Sequence, residues 1–313
     1  MTRHFLRDDD ITPDEQAEIL DLAVRLKADR FARNTFAGPQ TVALIMDKPT
    51  LRTQTSFTVA VAELQGMPFL VDGSKAQIGT RESVPDVARV IGRQVAAIVW
   101  RTYAQSALEQ MADYADVPVV NALTDDFHPC QILADLLTIR EHKGELAGLT
   151  MSYIGDGSNN MANSYLLGGA TAGMHVRIAA PEEYRPSADI VADAARIAGT
   201  TGGSVVVLTD PAEAAIGADV VVTDTWVSMG QEDEKAARVA AFSGFTVDAT
   251  LMARAGSDAI FLHCLPAYRG YEVQPEVIDG PQSVVWDEAE NRLHAQKALL
   301  AWLLEKNREG SHD

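Results

Sequence analysis

The chain reads as an α/β protein: two open parallel-sheet α/β domains joined by a bridging helix, with the C-terminal helix returning to the first domain. Three observations predict this. Short, nearly continuous apolar runs rich in β-branched residues alternate with helical patterns along the sequence, as in parallel sheets covered on both faces. The length of 313 residues suits two domains, each with its own core. One long helical stretch opening at Pro129 and closed by Lys143-Gly144 and a second glycine, Gly148, separates two runs of that alternation. The expected domains are 1–135 together with 290–313, and 136–289.

Each element has a local reason. Thr12-Pro13-Asp14-Glu15 opens the first helix with an N-cap, a proline at its first position and a glutamate three residues past the cap. Ile19, Leu20, Leu22, Ala23 and Leu26 follow at helical spacing. Strands are expected at 42–46, 69–71, 97–100 and 118–121 in the first half. In the second half they are expected at 150–154, 175–180, 204–208, 219–223, 259–262 and 284–286. The last periodic stretch, 290–306, reads as a helix. Open α/β sheets bind ligands at the carboxyl ends of their strands, so the residues just after these runs are the candidates for function.

Composition narrows the classes. Hydrophobic residues at 47% and charged residues at 22% are those of a folded domain rather than a disordered chain. The net charge of −18 argues against a nucleic-acid partner or an anionic membrane surface. It leaves a small anionic ligand open, because such a ligand feels the local field. Two cysteines, Cys130 and Cys264, make no disulfide framework and point to a reducing, cytoplasmic location. No apolar run approaches the roughly 18 residues that a membrane span needs. Metal-ligand spacing and a serine-hydrolase elbow are both missing.

Four strand-end constellations carry chemistry. After the first strand comes Asp47-Lys48-Pro49-Thr50-Leu51-Arg52-Thr53-Gln54-Thr55-Ser56, where hydroxyls at 50, 53, 55 and 56, a guanidinium and a helix start suit an anion. The same residues also suit an ordinary capped helix with a surface arginine. After the fourth strand, His128-Pro129-Cys130-Gln131 puts an imidazole, a thiol and an amide at a helix start. They can polarise a carbonyl oxygen, or simply be a packed histidine and an inert thiol. Gly155-Asp156-Gly157-Ser158-Asn159-Asn160 resembles a dinucleotide loop, but Asn160 stands where the third glycine belongs. Its asparagines suit a polar small molecule instead. Finally, Asp224-Thr225-Trp226-Val227-Ser228-Met229-Gly230 offers an exposed aspartate for an ammonium group, and His263-Cys264-Leu265-Pro266 offers backbone carbonyls to an amine. A turn-capping aspartate and a core cysteine are the plainer readings of that pair.

Taken in order, these motifs resemble the aspartate/ornithine carbamoyltransferase family over nearly the whole chain. Lys48-Pro49-Thr50-Leu51-Arg52-Thr53 is similar to that family's carbamoyl-phosphate loop, commonly Ser-Thr-Arg-Thr-Arg or Pro-Ser-Leu-Arg-Thr-Arg. Trp100-Arg101-Thr102, His128 to Gln131, Asp224 to Gly230, His263 to Pro266 and Glu290-Asn291-Arg292 also match in sequence order. Cys130, the Asp-x-x-x-Ser-Met-Gly loop and His-Cys-Leu-Pro resemble the ornithine branch; the aspartate branch typically has threonine at the position of Cys130 and His-Pro-Leu-Pro.

The resemblance implies transfer of the carbamoyl group of carbamoyl phosphate to the δ-amine of L-ornithine, giving L-citrulline and phosphate, in arginine biosynthesis. It implies that Thr50, Leu51, Arg52, Thr53, Arg101, His128, Gln131 and Arg292 bind carbamoyl phosphate. Gln77 would serve the site of a neighbouring subunit, which makes a homotrimer or a multiple of trimers the expected assembly; taken alone, Gln77 is a solvated loop residue. Asn160, Asp224, Ser228, Met229 and the carbonyls of Cys264 and Leu265 would hold ornithine. Arg52, Arg101, His128 and Cys264 would carry the catalysis, with no metal and no organic cofactor. An amine resembling lysine has a pKa near ~10.4, so presenting it neutral near pH 7.4 costs about 4 kcal/mol; the carbonyls would position the free base, while Asp224 would offset the α-ammonium charge.

Two positions depart from the family pattern. Gln54 replaces the loop's second arginine, which predicts weaker carbamoyl-phosphate affinity, and Tyr268 stands where relatives often carry histidine, at the expected pocket mouth. Two alternatives therefore stay open: a carbamoyltransferase for a related amine in a specialised pathway, and a catalytically silent homologue acting as a binding or regulatory subunit.

Overall fold

The computed structural model describes residues 2–227 and 232–310. The chain divides into two compact units, Met1–Leu137 with Glu290–Asp313, and Thr138–Ala289. The first holds a four-stranded parallel sheet of β1 (Thr41–Met46), β2 (Met67–Asp72), β3 (Ala97–Arg101) and β4 (Val119–Leu123), in the order β2-β1-β3-β4. The second holds β5 (Thr150–Ile154), β6 (His175–Ala179), β7 (Ser204–Leu208), β8 (Val220–Val222) and β9 (Ile260–Leu262), in the order β7-β6-β5-β8-β9, again parallel throughout.

The central strands are apolar because helices cover both faces. Every residue of β3 is buried, as are the four inner residues of β1. Ile45, Ile98, Trp100, Leu108 and Met111 form part of the first core. Ile154, Val221, Phe242, Phe261 and Val285 form part of the second. The edge strand β2 differs: Met67, Phe69 and Leu70 are exposed.

The first helix, Pro13–Ala28, is capped as its sequence predicts, with Thr12 accepting from the Glu15 amide in a full capping box. The bridging helix is Pro129–Lys143, and Gly144 leaves it at φ +87°. One expectation fails. Residues 284–286 are not a strand: Ser283 makes a single bridge to Phe261, and the helix Val285–Glu309 begins at once. Asp287 and Glu288 in its first turn favour the positive end of the helix, and Val285 is fully buried in the second core from that turn. The β-branched Val-Val pair mimicked a strand, and the helix starts five residues before the expected 290.

Candidate functional site

In the first unit, the ends of β1, β3 and β4 deliver one polar cluster. After β1, Lys48 is buried, paired with Asp125 and seated 4.6 Å from the centre of the Tyr103 ring. The Asp47 carboxylate accepts from Trp100 Nε1 at 2.8 Å, fixing the loop against β3. That loop leads into the helix Arg52–Glu63. Leu51 has no side-chain capping bond, and Thr50 Oγ1 instead accepts from the Thr53 amide at 3.3 Å. Thr53 is buried at the first turn and Arg52 is half-buried beside it. The four hydroxyls do not all converge, since Thr55 is exposed and Ser56 donates to Arg52 O of its own helix at 2.8 Å. Arg101 ends β3 at a register shift between Trp100 and Arg101, and its side chain is buried.

His128 stands at the start of the bridging helix and is buried. Burial holds its imidazole well below the ordinary value, and the charges of Arg292, Arg101, Arg52 and Lys48 push the same way. It is therefore neutral near pH 7, with one ring N–H rather than two. Four cations facing one neutral imidazole, in a chain of net charge −18, form a local field built for an anion.

Arg292 ties this cluster together. Its Nη1 donates to Gln131 Oε1 at 2.6 Å and its Nη2 to Thr53 Oγ1 at 3.2 Å. Cys130, in contrast, is an inert thiol: burial pushes its pKa up to about 12, and Sγ donates to Asn121 O at 3.2 Å. Gln77 is not brought into the cluster. It is exposed, at φ +52°, just after the short helix Gly73–Ala76.

In the second unit a different cluster forms at the ends of β5, β8 and β9. Asp224 is buried, not exposed as the sequence suggested. Desolvation pushes its carboxyl above the usual range, and nearby His263 works against that shift. Its Oδ1 accepts from the Thr225 amide at 2.7 Å and from Cys264 Sγ at 3.2 Å. A buried carboxylate of this kind suits a ligand's ammonium, whose charge would favour its ionised form. Asn159 caps the helix Asn160–Thr171 and lies 3.5 Å from Asp224 Oδ2, while Asn160 is the half-buried first residue of that helix.

His263 shapes the loop after β9. Its Nδ1 accepts from the Leu265 amide at 2.9 Å, so the proton sits on Nε2, which faces Glu272 Oε1 at 3.2 Å. This bond holds Leu265 at φ +59°. Asp224, His263 and Cys264 bring three ligand atoms within 4.8 Å of one another, the one such metal-compatible group among the described residues. Both ring nitrogens of His263 are already hydrogen-bonded, so the trio fits a positioning network better than a metal cage. The glycine loop after β5 is structural: Asp156 Oδ2 accepts from Arg238 Nη1 at 2.7 Å and Asp156 Oδ1 from Ser158 N at 2.9 Å. Ser228 and Met229 lie outside the described residues.

Family models match both units: the carbamoyl-phosphate-binding domain of aspartate/ornithine carbamoyltransferase over residues 3–141, and the aspartate/ornithine-binding domain over 147–303. The chain belongs to the aspartate/ornithine carbamoyltransferase family. It is 67% identical to an ornithine carbamoyltransferase of Clavibacter sepedonicus, over 98% of this chain and all of that one. Among solved structures it resembles the ornithine carbamoyltransferase of Pyrococcus furiosus, with a TM-score of 0.92 at 44% identity over 96% of each chain. The ornithine carbamoyltransferase of Gloeobacter violaceus matches with a TM-score of 0.88 at 45% identity, over 97% of this chain and 99% of that one.

Sequence reasoning in this carbamoyltransferase missed four supporting residues. Lys48 was visible only as part of a motif, and nothing local signalled that its ammonium is buried. Asp135 and Gln296 sit one helical turn from Gln131 and Arg292, so helical spacing held a signal that went unused. Glu272 reaches His263 only through the fold.

Proposed function

We propose that the chain transfers the carbamoyl group of carbamoyl phosphate to the δ-amine of L-ornithine, giving L-citrulline and phosphate, and that it serves arginine synthesis in the cytoplasm. The observation that carries this reading is the cationic cluster around a neutral, buried His128. Arg52, Thr50, Thr53 and the amide of Leu51 hold the phosphate, at the start of the helix Arg52–Glu63. Arg101 and the His128 N–H stabilise the oxyanion that forms when the carbamoyl carbon becomes tetrahedral. Gln131 Oε1 accepts from the carbamoyl N–H, and Arg292 keeps that oxygen in place.

In the second unit, Asp224 pairs with the α-ammonium of ornithine, and Asn160, Ser228 and Met229 hold the rest of its head group. The carbonyls of Cys264 and Leu265 accept from the δ-amine and position its free base toward the carbamoyl carbon. The amine nitrogen then bonds to the carbamoyl carbon, the C–O bond to phosphate breaks, and the departing phosphate takes the amine's proton. No organic cofactor is needed for that sequence.

We further propose a homotrimer in which Gln77 of one copy completes the carbamoyl-phosphate site of its neighbour. The exposed apolar residues of edge strand β2, Met67, Phe69 and Leu70, together with exposed Gln77, support a covered face on this unit. No described helix is long and apolar enough to cross a membrane.

Phosphate release and carbamoylated product, which is citrulline for ornithine, measured with carbamoyl phosphate and a panel of ornithine, lysine, putrescine and N-acetylornithine, test the proposal. Turnover selective for ornithine is expected. Selectivity for another amine would overturn the assignment of Asp224, and no turnover by a folded oligomer would favour a silent homologue.

A further inference from the structure

Gln131 lies between two groups of opposite hydrogen-bonding character. On one side its Nε2 donates to Asp135 Oδ1 at 2.8 Å, one turn further along the bridging helix; on the other its Oε1 accepts from Arg292 Nη1 at 2.6 Å. A carboxylate only accepts and a guanidinium only donates, so the amide has one satisfactory orientation. All three side chains are buried: Asp135 is 0% exposed, Gln131 1% and Arg292 3%. A flipped amide would face NH₂ to guanidinium and oxygen to carboxylate, leaving buried groups mispaired.

The hydrogen-bonded network continues on the other side of Arg292. With the Gln296 amide in the orientation that satisfies both its ends, its oxygen accepts from Arg292 Nη2 at 3.0 Å and its nitrogen donates to Arg292 O at 2.7 Å. That nitrogen also reaches Ser56 Oγ, whose hydroxyl in turn donates to Arg52 O. Donation thus runs outward from Arg292 along two arms, one through Gln131 to the acceptor-only carboxylate of Asp135 and the other through Gln296 and Ser56 to Arg52 O.

We propose that Asp135 is a specificity-determining positioning residue: by fixing the Gln131 amide with its oxygen toward Arg292, it makes the donor site select a carbamoyl group, which has N–H, over an acyl group carrying methyl there. This rests on the reading of Gln131 as the residue that meets the carbamoyl nitrogen. An amide oxygen has two lone pairs, so one that accepts from Arg292 can also accept from a carbamoyl N–H. It has nothing to offer a methyl group. Asp135 touches no reacting atom in this scheme and acts only through Gln131.

The test compares wild type, Asp135→Leu and Asp135→Asn by three constants: the KM for carbamoyl phosphate, the Ki for acetyl phosphate and the Ki for inorganic phosphate. Loss of one buried hydrogen bond to the carbamoyl nitrogen raises the KM about tenfold in Asp135→Leu. Both inhibition constants stay within about twofold, because neither ligand has an N–H to offer to Gln131. Asp135→Asn keeps an acceptor oxygen and shows a smaller rise of the same selective kind; it stands in if the leucine variant does not fold. A parallel rise in all three constants would mean a merely structural role, and an unchanged KM would mean that Arg292 alone orients the amide; either overturns the inference. Failure of wild type to form citrulline would instead overturn the functional reading on which it rests.

Discussion

Arg292 Nη2 donates to Thr53 Oγ1 at 3.2 Å, a bond between residues 239 positions apart. It joins the C-terminal helix to the first turn of the helix Arg52–Glu63, while Nη1 of the same guanidinium holds Gln131. The planar fork makes both contacts at once, which a point charge on a lysine stem does not reproduce. Arg292→Lys is therefore expected to lower kcat/KM roughly 30-fold, the equivalent of about 2 kcal/mol from hydrogen bonds to a charged group. Steady-state kinetics with varied carbamoyl phosphate checks it. A loss below about threefold would show that charge alone suffices.

His128 predicts a pH dependence of stability. Its folded pKa lies well below the ordinary 6.5, through burial first and then the charges of Arg292, Arg101, Arg52 and Lys48. As pH falls through 6.5 the unfolded chain takes up a proton that the folded chain refuses, so stability drops. One proton of difference amounts to about 1.4 kcal/mol per pH unit. Unfolding free energies between pH 6.5 and 5.5 are expected to fall less steeply in His128→Gln than in wild type, by up to about that amount. Equal slopes would mean that the imidazole is not held neutral.

The fold was legible wherever burial leaves a local pattern. Residues 150–154 and 204–208 match β5 and β7, and the Thr12 cap matches the structure, because periodicity and capping are properties of neighbours in sequence. Residues 284–286 misled because two β-branched residues look alike in a strand and in the buried first turn of a helix. The motifs located His128, Arg101 and Arg292, but not what surrounds them. That Asp224 is buried, or that the Cys130 thiol donates to Asn121 O, depends on elements brought together by the chain's return path. Such environments leave no trace in spacing.

Gln54 follows Thr53 in the same first turn and is half-buried, so a charge placed there would act on the anion-binding helix start. Gln54→Arg adds a cation to the cluster around His128 and is expected to lower the KM for carbamoyl phosphate about threefold, with the KM for ornithine unchanged. That magnitude corresponds to under 1 kcal/mol, as suits a partly solvated charge a few ångströms from the ligand. A KM that stays level or rises would mean that the present cations already saturate the site.

Lys297 and Glu63 anchor the far end of the same helix. The Lys297 ammonium is fully buried and uses its three hydrogens on Leu26 O at 3.1 Å, Arg30 O at 3.1 Å and Glu63 Oε2 at 2.7 Å. Glu63 also accepts from Arg30. The pair therefore clamps the end of the helix that begins with Arg52 against the helix that carries Arg292. Removing one partner leaves a buried charge poorly compensated, whereas replacing both with apolar residues of similar size removes the mismatch. Lys297→Met is expected to lower stability by about 3 kcal/mol, and Lys297→Met with Glu63→Leu by clearly less than the two single variants together. Urea unfolding of the wild type, the two single variants and the double variant measures that coupling. Additive losses would show that the ammonium and carboxylate do not depend on each other. The KM for carbamoyl phosphate is expected to rise in Lys297→Met as well, because the clamp keeps Arg52 and Arg292 on helices held at a fixed separation.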